Sequence, residues 1–144
     1  GNDTINVTAA SDMYSFLNPN AFGKGEFKNI NVVHREKVDI GTLDVFIPKL
    51  ITDFTKRRIF LKTDTQGYDL RVLEGSLNVM GYISCLLTEI SLIPIYSGMP
   101  HYLDALRKYE EYGFIVTGLY PVSRNKKNLS AIEMDCTLIN SKII

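Results

Sequence analysis

The sequence predicts an α/β fold in which a mostly parallel sheet ends in an antiparallel hairpin. Three observations carry that expectation. From Ile59 to Ile139, apolar strand-like runs alternate with stretches of helical periodicity in the order β-α-β-α-β-β. Strands separated by helices pair in parallel, through right-handed crossovers that lay the helices on the sheet. The last two runs are joined only by the polar turn Ser123-Arg124-Asn125-Lys126-Lys127-Asn128, too short for a crossover helix, so they form a hairpin.

Each element has its own signal. Ile5–Ala9 alternates as a strand, and Ile30–Val33 is β-branched. Between them, Asn18-Pro19-Asn20 and Gly23-Lys24-Gly25 carry turn chemistry. Thr42 is placed to cap a helix whose Leu43, Phe46, Ile47, Leu50, Ile51 and Phe54 share one face. Pro48 falls inside it and is expected to kink or split it. Ile59-Phe60-Leu61 is the first core strand, and Gly67 follows it as a turn. Leu70, Val72, Leu73 and Leu77 predict a helix closed near Gly81. Tyr82–Glu89 is a second strand, apolar almost throughout, as expected where both sheet faces are covered. Pro100 opens a third helix and Gly113 closes it. Phe114–Tyr120 and Ala131–Ile139 complete the hairpin. Residues 1–58 read as a lead-in of strands and loops to a core over 59–144, all within one domain.

Composition bounds the function. At 144 residues and 16.3 kDa the chain is long enough for one real core. Its 45% hydrophobic and 22% charged residues exclude a disordered tail. Sixteen basic residues cancel sixteen acidic ones, which leaves no electrostatic footprint for nucleic acid or an anionic membrane. No run of about 18 apolar residues is present to span a bilayer. Cys85 and Cys136, each in an apolar run, are expected to be buried thiols, which points to a reducing, cytoplasmic compartment. The sequence contains no G-x-G-x-x-G, no Walker loop and no G-x-S-x-G elbow, so nucleotide-triphosphatase and hydrolase readings lack support.

Open α/β sheets bind ligands beyond the carboxyl ends of their parallel strands. Two strands end there in polar residues, one in Lys62-Thr63-Asp64-Thr65-Gln66-Gly67 and the other in Thr88-Glu89-Ile90-Ser91. If these strands are neighbours, Asp64 and Glu89 project into one cleft, and paired carboxylates suit proton abstraction from a hydroxyl or metal binding. No third ligand lies near Asp64 in the sequence, so no metal is expected. Asp64 and Gln66 could instead cap the next helix, but the second carboxylate on the adjacent strand favours function. His101, near the start of the third helix, could touch substrate or act as a base, although a lone loop histidine is more often surface. Tyr96 and Tyr102 could line a substrate mouth, although such aromatics usually just pack.

The block Leu61-Lys62-Thr63-Asp64-Thr65-Gln66-Gly67-Tyr68-Asp69-Leu70-x-Val72-Leu73-x-Gly75-Ser76 resembles the FkbM family of S-adenosylmethionine-dependent methyltransferases. The family pattern there is close to K-I-D-x-Q-G-x-E-x-x-V-L-x-G-A. Thr42-Leu43-Asp44 resembles its T-L-D, and Glu89-x-Ser91 with Pro94-x-Tyr96-x-Gly98 resembles its E-x-S…P-L-Y-x-G. Gly113-Phe114 and Glu133-x-Asp135 resemble its G-F and late E-x-D, and Ser11–Ser15 its serine-containing loop. The resemblance implies a Rossmann-like class I methyltransferase sheet and O-methylation of a glycan, sugar or polyketide-like hydroxyl, with S-adenosylmethionine as cofactor. It implies Asp64, Gln66 and Glu89 as catalytic residues, Asp64 and Thr65 at the cofactor, and Asp69, Tyr96 and His101 toward substrate. Asp69 departs from the pattern, being shorter than the family's Glu.

The family's N-terminal half, with its first strand and glycine-rich cofactor loop, has no counterpart in these residues. The sequence, which opens on Gly1, is therefore expected to begin after the family's third strand. The strand at Ile59–Asp64 would then lie at a sheet edge, filled either by Ile5–Ala9 folding back or by a second copy in a homodimer. The competing reading, from another class, is a non-catalytic binding or assembly domain that keeps the half-sheet alone.

Overall fold

A computed structural model describes residues 1–143. Ten elements follow in order: β1 (Asn2–Thr8), α1 (Ala21–Glu26), β2 (Val32–Asp39), α2 (Leu43–Leu50), β3 (Ile59–Lys62), α3 (Asp69–Glu74), β4 (Ile83–Ser91), α4 (Tyr102–Glu111), β5 (Phe114–Arg124) and β6 (Ala131–Asn140). Short 3-10 turns at Ser11–Met13, Phe54–Lys56 and Met80–Tyr82 join some of them. Among the described residues no helix is long and apolar enough to cross a membrane.

The α/β composition is as expected, but the sheet is not mostly parallel. Its strand order is β3-β4-β6-β5, and only β3 and β4 pair in parallel. β6 is inserted between β4 and β5 and runs antiparallel to both. The hairpin therefore does not simply extend the sheet. Its second strand takes the inner place because it carries the apolar payload: Ile132, Cys136 and Leu138 are fully buried. β5 carries Gly118, Pro121 and exposed Leu119, Tyr120 and Val122, residues that suit an edge, and proline cannot donate to a ladder on both sides. β3, β4 and β5 still run in one direction, so their carboxyl ends and the start of β6 meet at a single sheet edge.

Two cores form. Leu73 of α3 and Ala105 and Tyr109 of α4 pack on Ile83, Leu86, Ile90, Phe114, Cys136 and Leu138. A buried polar chain crosses this layer, from the Thr63 hydroxyl to Thr88 Oγ1 (2.9 Å) and on to the Tyr109 hydroxyl (3.1 Å). The second core lies past the carboxyl ends of the strands. There Ile30 from the N-terminal segment meets Ile95, Tyr96 and Ile132, with Met13, Leu17, Phe22 and Phe27 around them. This core holds residues 1–31 as a cap over the sheet edge. Asn20 seals the joint: its side chain accepts from the Gly23 N–H to start α1 and donates to the Pro94 carbonyl.

Several local expectations are corrected. Gly23-Lys24-Gly25, read as turn chemistry, lies inside α1, and Gly23 is needed because a Cβ would collide with the Ile95 carbonyl. Pro48 does not split α2, which continues to Leu50. So near the helix end the ring removes only the bond to the Asp44 carbonyl. β1 does not fold back onto β3. It pairs antiparallel with β2 in a separate two-stranded ribbon, and β3 lies at the sheet edge with Phe60 62% exposed. The longer β2 offers β1 more ladder than the four-residue β3 does. Cys136 is buried as expected, whereas Cys85 is only partly so, and both are free thiols.

Asp44 ties α2 to the turn before β4. Its carboxylate accepts from the Asn78 N–H (2.9 Å), the Asn78 side-chain amide (2.8 Å) and the Val79 N–H (3.1 Å), while its own N–H donates to Gly75. Charge-assisted bonds of this kind are among the stronger ones. Asp44→Ala is expected to lower unfolding stability by about 1–3 kcal/mol, read as a shifted urea midpoint with an unchanged slope. A shift below a few tenths would show that water replaces the carboxylate.

Candidate functional site

The site is built on the way the chain leaves β3. Between Lys62 and α3 it reverses through two consecutive residues in the left-handed region, Gln66 (φ 51°) and Gly67 (φ 87°). Gly67 adopts this freely, and a Cβ there would meet the Met99 side chain at 2.7 Å. Gln66 is not so free, since a non-glycine residue in this region costs on the order of 1–2 kcal/mol. Its surroundings over-determine it. Its carbonyl accepts from the Ser15 hydroxyl (2.7 Å). Its Oε1 lies 3.0 Å from the Tyr96 hydroxyl, which is also 3.2 Å from the Met13 carbonyl and shares one proton between the two. Its Nε2 donates to Asp64 Oδ1 (3.2 Å).

Asp64 emerges from this turn exposed, with the Lys62 ammonium 3.8 Å away. With Gln66 of the same turn and Glu89 of β4 it lines a cleft of about 630 Å3. Asp12, Glu26, Glu133 and Ser123 form further walls. Asp12, Asp64 and Gln66 also line a second cleft of about 270 Å3, on the side of the N-terminal segment, with Ser11, Tyr14, Phe16 and Thr65. These three residues therefore form the partition between two clefts.

Carboxylates crowd the first cleft. Across the β4–β6 ladder Glu89 stands opposite Asp135, and Ser91 opposite Glu133. Were Glu89 and Asp135 both ionised, they would repel across the ladder. Burial, then Glu133, Asp64, Asp69 and Asp135, push Glu89 up to about 8, so it keeps its proton at neutral pH. Burial also raises Glu133, with the Ser123 hydroxyl (2.8 Å) pulling the other way. Asp69 lies beneath the turn, 4% exposed. Its Oδ1 accepts from the Thr65 N–H (3.2 Å), Oδ2 has no partner, and burial raises its pKa. Asp69 shares a chamber of about 20 Å3 with Glu89 and Ser91, whose hydroxyl is also unpartnered. A space of that size, with such partners, takes one bridging water.

The residues singled out from the sequence divide into groups. Asp64, Gln66 and Glu89 meet in one cleft, and Thr65 faces the second. Asp69 supports the turn from below. Tyr96 is 1% exposed, so it lies under the site and holds Gln66 rather than lining a mouth. His101 stands apart: it caps α4, its Nδ1 accepting from the Leu103 N–H at 3.4 Å, and it lines neither cleft. Glu133 had a signal in the sequence, a carboxylate interrupting the apolar β6. Asp12 and Glu26 had none, because the capping segment places them. Among the described residues, no three His, Cys, Asp or Glu side chains converge to hold a metal ion.

The sequence model of the methyltransferase FkbM domain matches residues 1–116. No curated protein and no solved structure matches the chain.

Stability is expected to fall as pH rises from about 4.5 to about 8. In that interval the unfolded chain has released a proton that folded Glu89 still holds. Asp69 and Glu133, also raised, contribute in the same direction, so Glu89→Gln should remove Glu89's share of the decline, on the order of 2–4 kcal/mol, in urea unfolding measured at each pH. Parallel pH profiles for the two proteins would show that Glu89 titrates as an ordinary carboxylate.

Proposed function

The chain belongs to the FkbM methyltransferase family, and from that premise we propose that its two clefts serve S-adenosylmethionine-dependent O-methylation. The observation that carries this reading is the partition: Asp12, Asp64 and Gln66 line both clefts. A methyl transfer needs its donor and its acceptor on opposite sides of one reacting point. Side chains reached from both sides stand at such a point.

The second cleft suits the cofactor. Asp12 and Asp64 match a cationic sulfonium and ammonium, and the rings of Tyr14 and Phe16 match a flat adenine. The Thr65 hydroxyl, buried without a partner, has hydrogen-bonding capacity to fill. Asp64 and Thr65 would hold the cofactor. When bound, it supplies an electrophilic methyl group.

The chain's own residues do the rest from the first cleft. Asp64 would accept a hydrogen bond from the acceptor hydroxyl and take its proton as the O–C bond forms at the expense of the cofactor's S–C bond, whose electron pair stays on sulfur as a neutral thioether. Gln66 fixes the Asp64 carboxylate through its 3.2 Å bond and is itself fixed by Tyr96. Glu89, protonated at neutral pH, donates a hydrogen bond toward the acceptor or Asp64 without adding charge to an acidic cleft. Positioning of this kind accounts for much of a displacement's acceleration.

Asp64→Asn in the whole protein is expected to lower methyl transfer about 100-fold or more, measured with labelled S-adenosylmethionine and a panel of glycan and polyol hydroxyls. Its melting temperature should stay within a few degrees, since the exposed carboxylate holds only Lys62 and Gln66. Unchanged turnover in the variant, or no transfer by the wild type to any hydroxyl, would favour a binding domain without catalysis.

A further inference from the structure

The charge in the first cleft is not scattered. The sheet order β3-β4-β6-β5 lays it out as a gradient. Asp64 follows β3, Glu89 is on β4 and Glu133 near the start of β6, so the first three strands present carboxyl groups. The fourth, β5, ends in Arg124, and the hairpin turn beyond it carries Lys126. Lys28, from the segment after α1, joins them on the lining. None of these three cations belongs to any ion pair among the described residues.

One carboxylate of the same lining is engaged by uncharged donors of the hairpin turn. Glu26 accepts from the Asn125 side-chain amide (3.2 Å) and from the Lys126 backbone N–H (3.4 Å). It thereby binds the hairpin turn to the α1 cap. Arg124 donates one guanidinium N–H to the Leu129 carbonyl, which orders the same turn. Arg124 is held by this bond, while Lys28 and Lys126 line the same cleft with ammonium groups that are free among the described residues, and the three form its basic rim.

We propose that this rim reads an anionic group on the methyl acceptor, so that the acceptor is an acidic oligosaccharide rather than a neutral sugar. The inference rests on the methyltransferase reading above for which end carries the hydroxyl. The ends of β3 and β5 lie three strand spacings apart across the sheet, about 14 Å, and β5 reaches further along it, Arg124 pairing with Ala131 while Lys62 is level with Leu87 and Thr137. That span exceeds one sugar ring, so the anion sits on a different ring from the hydroxyl at Asp64. The lining supplies carboxylates, two amides and one hydroxyl, with Phe27 as its single aromatic ring, and the chain has no tryptophan. It offers hydrogen bonds and charge to a hydroxylated anion and no stacking platform for a base. The anion's source, a ring carboxylate or a phosphate ester, shares one chemistry at the rim.

Calorimetric titration of the chain tests this with three tetrasaccharide probes: a neutral one, the same one with a terminal glucuronate ring, and one bearing a terminal phosphate. The acidic probes should bind at least about tenfold tighter than the neutral one at low salt, and the advantage should shrink at high salt. Whichever acidic probe binds tighter identifies the source. The Lys28→Gln/Lys126→Gln double variant should cut the advantage to about threefold or less. Neither side chain makes a hydrogen bond or ion pair among the described residues, so the variant should melt with the wild type. Equal binding of neutral and acidic probes, no binding of any, or an advantage unchanged in the variant would each overturn the proposal. Binding is read without turnover. An acidic preference in a chain that transfers no methyl group would therefore sink the catalytic reading and leave this one standing, while methyl transfer to neutral sugars alone would do the reverse.

Discussion

The arrangement depends on one backbone reversal, the pair of left-handed residues at Gln66 and Gly67. It lets the chain stop at the carboxyl end of β3, present Asp64, and re-enter as α3 beneath its own turn. Gly67 makes it sterically possible, but Gln66 makes it dependent on everything around it. The Ser15 hydroxyl comes from the N-terminal cap and the Tyr96 hydroxyl from the loop after β4. Neither is local in sequence. The strained turn exists only when the cap and the sheet have both formed, so the site is assembled with the tertiary structure.

That dependence explains the second core. Ile30, Ile95 and Tyr96 lie in no strand of the sheets, yet they and Ile132 of β6 are nearly inaccessible to solvent. Their burial fixes the cap above the strand ends and delivers the two hydroxyls to Gln66. It also places Asp12, Glu26 and Lys28 around the cleft. Stability is given up close by, where Glu89 and Asp135 oppose each other across a ladder and Asp69 is buried with an unpartnered oxygen. Perturbed carboxyl groups gathered in a cleft are the arrangement that a functional site uses.

The site was partly legible beforehand. Asp64 and Glu89 were readable because each follows an apolar strand, and the ends of parallel strands are where such folds open. Gln66 was readable as part of the same loop. The roles of Tyr96 and His101 were not. A tyrosine or histidine in a loop looks the same in sequence whether it faces a ligand or a neighbouring segment. Here Tyr96 is buried against the cap and His101 closes the start of a helix. Asp44 shows the converse: its place in a short motif was visible, but its three bonds to residues 78 and 79 were not.

By itself the sequence determined which segments are strands and helices from residue 59 onward, the hairpin at the end, and the two carboxylates at one sheet edge. Those follow from local periodicity and turn chemistry, which act over a few neighbouring residues. Only the tertiary structure decided that β6 enters between β4 and β5, that β1 pairs with β2 and leaves β3 at an edge, and that α1 forms around Gly23. Each is a competition between distant partners for the same buried place or the same ladder of backbone groups. β6 holds the inner position because it buries Ile132, Cys136 and Leu138, while β5 carries a proline and exposed side chains. Strand order is set by that comparison of burial between strands, and no window of one strand contains it.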